Sequence, residues 1–466
     1  MNLIWQGFTL SHVSLSQWRG ASYIHRILVG QLRAWRQSSW LMQWANLLAA
    51  TFVSLVLGLA PFVSHELLLV LLVACASFWV LLTLSDAADV PQLTPIHLLV
   101  LLYWGIGTIA TALSPVKKAA FSGWVELTLY LLLFALSVRV CSSQRLRSWL
   151  IVLYLHVALI VSVYGIQQSY SGVAALATWV DPESPMSQLV RVYSYLGNPN
   201  LLAGYLLSAI ALSLVAVFVW QGWLPKALAL TMFFVNTTCL VLTYSRGGWV
   251  GFSVVIFVLM VLLWYWLSAR AVLPRRLRSF FLGILVLLLL LAVGFVMLFE
   301  PVRERFFSMF AGRGDSSNNF RINVWTAVLQ MIRARPLLGI GLGHGAFNSI
   351  YPLYQQNPHF SALSAYSIVL EVAVETGLIG LFSFIWLLVV TFNQAAIQLT
   401  RLRQIGNREG LWLIGAIASM LGMLANGMVD TVWYRPELNT LWWLLVALIA
   451  SYCQPGRGKD RQEILE

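Results

Sequence analysis

The chain has 466 residues, of which 59% are hydrophobic and only 10% charged, and a mean hydropathy of +0.79. A soluble domain carries roughly 25% charged residues, so these totals exclude a soluble fold and point to an all-α, polytopic integral membrane protein. The net charge of +12 accompanies no nucleic-acid-binding motif; in such a chain a basic excess orients loops and implies no nucleic-acid partner.

Residues 1–43 hold Arg19, Arg26, Arg33 and Arg36 without an acid, interspersed with Trp5, Trp18, Trp35 and Trp40. This is either an interfacial helix on an anionic cytoplasmic leaflet or a basic orienting tail. No cleavable leader is expected, because the first long apolar run begins near Trp44. Windowed hydropathy then places about twelve spans, near 44–60, 66–84, 96–113, 121–138, 149–169, 200–219, 224–243, 249–267, 280–299, 367–393, 411–429 and 439–453. The runs are too long and uniform for barrel strands. With the N-terminus inside, short cytoplasmic segments hold 18 Lys and Arg against 5 on the opposite face. That places both termini in the cytoplasm of a plasma (inner) membrane protein. The chain then divides into a cytoplasmic segment 1–43, a transmembrane domain 44–453 and a cytoplasmic tail 454–466, with no repeat or second domain.

One long polar segment interrupts the apolar pattern, the extracytoplasmic loop 300–366 between spans nine and ten. It carries Arg303, Arg305, Arg313, Arg321, Arg333 and Arg335 against Glu300, Glu304 and Asp315, and is broken by the turns GRGDSSNN and GIGLGHG. Within it, FRINVWTAVLQMIRARP reads as an amphipathic helix that starts at Arg321 and stops at Pro336. On the same face stand Arg191, Asn198 and Asn200 at the mouth of span six, and Arg246 on the Gly-Gly turn of YSRGGW. Arginine stays protonated and offers a planar fork of donors, so Arg191, Arg246 and Arg321 are candidate binders of phosphate, carboxylate or bicarbonate. The alternative for each is an interfacial, snorkelling or salt-bridged arginine.

Ionisable groups inside the spans are Glu126, Glu371, Glu375, His97 and His156. Glu371 and Glu375 lie four apart on one helical face and form either a carboxylate couple or, as supporting residues, partners of loop arginines; the second is expected, because it neutralises both. His344 and His359 lie in the loop; a lone loop histidine is more often merely solvated, although a general base needs just this exposure. Cys75, Cys141, Cys239 and Cys453 show neither CxxC spacing nor a Cys/His cluster, so no disulfide framework, metal or cofactor is expected. No P-loop string is present, nor the paired broken helices of many secondary transporters.

The strings YSRGGWVGF, FRINVW…RPLLGIGLG and EVAVETGLIGL, in this order, resemble the O-antigen ligase and polymerase superfamily over about half the chain. A tighter resemblance, carried by RVYSYLGNPNLLAGYLL, SSNNFRINVW, YPLYQQ, ALSAYS and DTVWYRPE…TLWW, is to cyanobacterial inorganic-carbon accumulation proteins. The ligase resemblance implies a helical membrane fold, metal-independent glycan transfer from an undecaprenyl-pyrophosphate carrier, and pyrophosphate-binding arginines that match Arg246 and Arg321. It also implies a loop histidine eleven residues before the glycine of E-T-G; counting back from Gly377 gives Tyr366. His359 stands seven residues earlier, and tyrosine, with an ordinary pKa near 10, is a poor general base. The carbon-accumulation resemblance implies bicarbonate handling at an outward-facing anion site, as a transporter or as an accessory to an unidentified membrane partner. Two readings follow: bicarbonate accumulation, or a ligase or polymerase acting on a lipid-linked pyrophosphate glycan.

Overall fold

The computed structural model describes residues 2–10, 29–86, 93–171, 191–268, 298–308, 312–356, 361–430 and 434–453. Among these, ten helices are long and apolar enough to cross a membrane, and no strand occurs. Lipid offers the backbone no hydrogen-bond partner, so apolar runs of this length close their N–H and C=O groups within helices.

Two short helices precede the bundle, α1 (Asn2–Phe8) and α2 (Arg33–Ser38). The spans are α3 (Ala45–Leu59), α4 (His65–Ser85), α5 (Pro95–Ala112), α6 (Lys117–Cys141), α7 (Gln144–Ser171), α8 (Pro199–Val219), α9 (Trp223–Leu242) and α10 (Arg246–Ser268). The polar loop contributes α11 (Glu300–Phe307), α12 (Ser316–Ala334) and α13 (His344–Ile350). The bundle closes with α14 (Ile368–Gln404), α15 (Glu409–Gly427) and α16 (Pro436–Ser451). Ten of the twelve expected spans thus correspond to long apolar helices. The last expected span is α16, apolar but 16 residues long. The span expected at 280–299 falls, but for its last two residues, outside the described residues, as does the tail 454–466.

Helices α8 and α15 form the axis, with 78% and 83% of their apolar windows buried. Their surfaces are rich in Ala, Gly and Ser, which let backbones approach where no water-driven force pulls helices together. At Gly422 of α15 a Cβ would lie 2.3 Å from Val255 Cγ2 of α10, so that contact requires glycine. The N-terminal segment joins the bundle at the other end. Trp5 Nε1 donates to Asn393 Oδ1 at 3.2 Å, Phe8 stacks on Trp386, and Arg36 and Arg139 both pair with Asp86.

The polar loop is itself helical, with a small core of Val324, Val328, Met331, Ile340, Phe347 and Tyr351. Helix α12 begins five residues before the expected start at Arg321, because Asp315 caps it by accepting from Asn318 N at 2.9 Å. Helix α14 is broken at Gly377, where φ 71° and ψ −175° interrupt the helical course. There the freed backbone pairs with the glycine-rich turn: Ile340 N donates to Val374 O (2.9 Å), Gly341 N to Glu375 O (3.0 Å) and Leu378 N to Pro336 O (2.8 Å). The RPLLGIGLG and EVAVETGLIGL strings are therefore two halves of one backbone joint, and it fixes the loop to the bundle.

Candidate functional site

Where the loop meets the mouths of α8 and α10, four guanidinium groups line one pocket. Arg191 enters just before α8; its Nε donates to Thr243 O at 2.9 Å and its Nη2 to Asn200 Oδ1 at 2.8 Å. Asn198 caps α8, accepting from Asn200 N at 2.8 Å and so orienting the residue that holds Arg191. Arg246 opens α10 and is only 7% exposed. Its Nη2 donates to Asp315 Oδ1 at 3.0 Å, and its Nη1 reaches the Ser308 carbonyl and hydroxyl, both at 3.1 Å. Standing at a helix N-terminus, it adds its charge to the positive end of the helix dipole. Arg321 lies on α12, where Ser317, Phe320 and Arg321 share the face that meets the pocket. Its Nη1 donates to Ser317 Oγ at 3.0 Å and its Nη2 lies 3.5 Å from Asp430 Oδ2. Arg321 Nε has no hydrogen-bond partner among the described residues.

The fourth cation, Arg305 on α11, was not singled out by any sequence signal among six loop arginines. Its Nε donates to Tyr244 O at 3.2 Å. Tyr244 and Tyr366 are both left-handed, at φ 49° and 50°, a conformation that costs about 1–3 kcal/mol for a non-glycine residue. Both flank the arginines, so the strain is spent on the site. Tyr366 lines the pocket with its ring edge-on to Phe320, centroids 5.4 Å apart. The tyrosine occupies the position where the resemblance puts a histidine; burial, reinforced by Tyr434 and Asp430, pushes its hydroxyl well above the ordinary range. It is therefore a neutral donor and not a base at neutral pH. Burial, offset by Asp430 and reinforced by Arg321 and Arg246, lowers Arg191 to about 10. Burial together with Arg191 and Arg246 lowers Arg305 to about 9. Both remain cations at neutral pH, crowded and partly stripped of water.

The expected triad Arg191, Arg246 and Arg321 is thus brought together, with Asn200 beside it and Asn198 one turn away. The expected neutralising role of Glu371 and Glu375 does not hold. Asp315 and Asp430 pair with the loop arginines instead. The two glutamates have other partners: Glu371 Oε2 accepts from Ala365 N at 2.6 Å, at the start of α14, and Glu375 Oε1 from Gly343 N at 2.9 Å, on the glycine-rich turn. Asp315 was legible in principle, as an Asp heading SSNN before an apolar pattern. His344 is engaged, its Nδ1 on Leu363 O at 2.7 Å and its Nε2 on the Asn348 amide at 2.8 Å. His359 lies outside the described residues. Among the described residues no cluster of His, Cys, Asp and Glu is spaced to hold a metal ion.

A second cavity of about 300 Å³ adjoins the arginines and shares Arg246 and Arg321 with the pocket. Its other walls include Val250, Ile322, Trp325 and Val429, so a charged pocket opens beside an apolar one.

Residues 227–385 match the O-antigen ligase family model. The matched stretch runs from α9 through α10 and the helical loop into α14, and includes Arg246, Arg305, Asp315, Arg321 and Tyr366. Arg191 and Asn200, which also line the pocket, lie outside it, as does Asp430, the partner of Arg321. The chain is a multi-pass helical membrane protein that carries an O-antigen-ligase-like domain over these residues. No curated protein matches it.

Proposed function

We propose that this O-antigen-ligase-like protein binds the pyrophosphate of a lipid-linked glycan in the arginine pocket and transfers the glycan to an acceptor. The observation that carries this reading is the charge count. Arg191, Arg246, Arg305 and Arg321 meet two paired carboxylates, Asp315 and Asp430, which leaves a net of two positive charges. A pyrophosphate diester carries one charge on each phosphate and neutralises them. Bicarbonate carries only one. Guanidinium forks also match phosphate oxygens in pairs. The adjoining apolar cavity gives the lipid a place next to the charge, and charge building on the departing pyrophosphate would be held by groups already oriented. No metal is required for that step: the cations are the protein's own.

A second reading is favoured by Tyr366. A pocket that keeps its arginines but holds a neutral tyrosine where the family resemblance puts a histidine binds an anion without needing to move a proton. This fits the resemblance to the cyanobacterial inorganic-carbon accumulation protein IctB, and would make the protein a bicarbonate carrier or an accessory to one. Under either reading the loop faces away from the cytoplasm of the plasma membrane. The purified protein in liposomes separates the two. Glycan transfer from an undecaprenyl-pyrophosphate donor, lost in Arg246→Lys, supports the first; labelled bicarbonate uptake without transfer supports the second and overturns the first.

A further inference from the structure

On the same side of the bundle lies a second site, lined by acids and not by arginines. It is a pit of about 110 Å³ between α6 and α14, roofed by the turn that precedes α13. Glu126 stands on its α6 wall, Glu371 and Glu375 on its α14 wall. No lysine or arginine lines it. Each carboxylate has a modest partner: a backbone N–H for Glu371 and Glu375, and for Glu126 the imidazole of His65 at 3.5 Å. A carboxylate can accept about four hydrogen bonds, so each of these acids keeps acceptor capacity beyond the partner named.

An independent observation points to a ligand. Tyr130 lines the pit, is only 3% exposed, and its hydroxyl has no hydrogen-bond partner among the described residues. Buried hydroxyls are rarely left unpaired in native proteins, and those that are call for an explanation. The other walls include the aromatic rings of Tyr103, Phe384, Tyr434 and Trp443, the Asn439 amide, and His344, whose two ring nitrogens are held by Leu363 O and the Asn348 amide. Ring faces carry negative charge and attract cations, ammonium groups among them. The carboxylates are not spaced to chelate a metal ion together. Acids, ring faces and a spare hydroxyl around a space of this size suit a group that is cationic, donates several hydrogen bonds and has some apolar surface.

We propose that the pit is a binding site for a primary ammonium group on a small organic molecule. An –NH₃⁺ has three donors, which suits the acids and the Tyr130 hydroxyl, and the adjoining carbon packs on the rings. The site is separate from the arginine pocket and does not depend on how that pocket is read. The two are nonetheless neighbours: Ala365, whose N–H holds Glu371, precedes Tyr366. An occupied pit would therefore hold the segment that places Tyr366.

The test is calorimetric titration of the full-length protein in lipid nanodiscs with methylammonium, glucosamine, glucose and potassium chloride. Saturable binding of methylammonium and glucosamine is expected, with none of glucose or potassium at equal concentration. Glu371→Gln should weaken amine binding at least tenfold, and Glu126→Gln, at the partly exposed mouth, at least threefold. Arg246→Lys should leave it unchanged. The Glu126 variant decides the matter should the buried one fail to fold. Equal binding of glucose and glucosamine would make the pit a polyol site, and equal competition by potassium would make it an inorganic cation site. Either result, no amine binding at all, or binding untouched by Glu126→Gln, would overturn the proposal.

Discussion

Arg246 is the residue on which the site turns. It is buried, pairs with Asp315 through Nη2 and reaches Ser308 with Nη1; these contacts orient the fork, and Nη2 keeps a second N–H for an anion. Lysine keeps the charge but cannot reach two partners in one plane. Arg246→Lys should lower anion binding or transfer at least tenfold while folded protein in the membrane stays constant, measured by activity beside detergent-solubilised yield. Unchanged activity would make Arg246 a scaffold residue. Tyr366 offers a gentler probe. As a neutral hydrogen-bond donor its loss should cost about 0.5–1.5 kcal/mol, so Tyr366→Phe should weaken binding by roughly ten-fold or less. A complete loss would mean the hydroxyl does chemistry. The lowered Arg305 and Arg191 give a pH dependence with a definite sign. Lowered to about 9, Arg305 is cationic at neutral pH and loses its charge as pH rises through about 9, so anion affinity should be flat at neutral pH and fall there. A bound anion favours the charged form and shifts that fall upward. An affinity that rises across this range would contradict the assignment. Of these residues Arg191 and Arg246 were readable from sequence, because arginines at span mouths or beside glycine turns are conspicuous in an apolar chain, and Arg321 because it heads an amphipathic pattern in the loop. Arg305 was not: one of six loop arginines, it is singled out only by the fold of α11 over Tyr244.

At the scale of elements, the two structural decisions are the cap of α12 and the break in α14. Asp315 does two things, accepting Asn318 N at the helix start and pairing with Arg246. Substitution can separate them. Asn caps as well as Asp, so Asp315→Asn should keep α12 while removing the ion pair, at a cost of more than about 1.5 kcal/mol in the empty protein. Asp315→Ala should add the cap cost of about 1 kcal/mol, read as a further drop in thermal midpoint. At Gly377 a Cβ would lie 2.1 Å from the Leu337 carbonyl oxygen, on a backbone that non-glycine residues avoid. Gly377→Ala should destabilise by more than about 2 kcal/mol and reduce folded yield, whereas Gly58→Ala, with nothing within 4 Å of the added carbon, should not. Neither decision was visible to hydropathy. The helix start at Ser316 carries four small polar residues before its apolar face begins, and Gly377 sits inside a charge-free run that reads as continuous.

For the whole molecule, the spans were legible because lipid imposes one simple rule on backbone and length. The loop was legible as polar and basic, but its packing as a helical cap was not, since its small core is drawn from residues scattered between Val324 and Val374. The expectation that acids within the spans serve the arginines also missed. Charge alone pairs them, but in the fold backbone N–H groups hold them at a different cavity. The central claim is that the four-arginine pocket is matched to a pyrophosphate dianion joined to a lipid. Its most direct measurement is binding of a short-chain prenyl-pyrophosphate sugar to the purified protein, set beside the corresponding prenyl-phosphate sugar and bicarbonate, in wild type and Arg246→Lys. The account predicts that the pyrophosphate binds at least tenfold more tightly than either competitor and loses that advantage in Arg246→Lys; equal or tighter binding of bicarbonate, or a preference that survives the substitution, would contradict it.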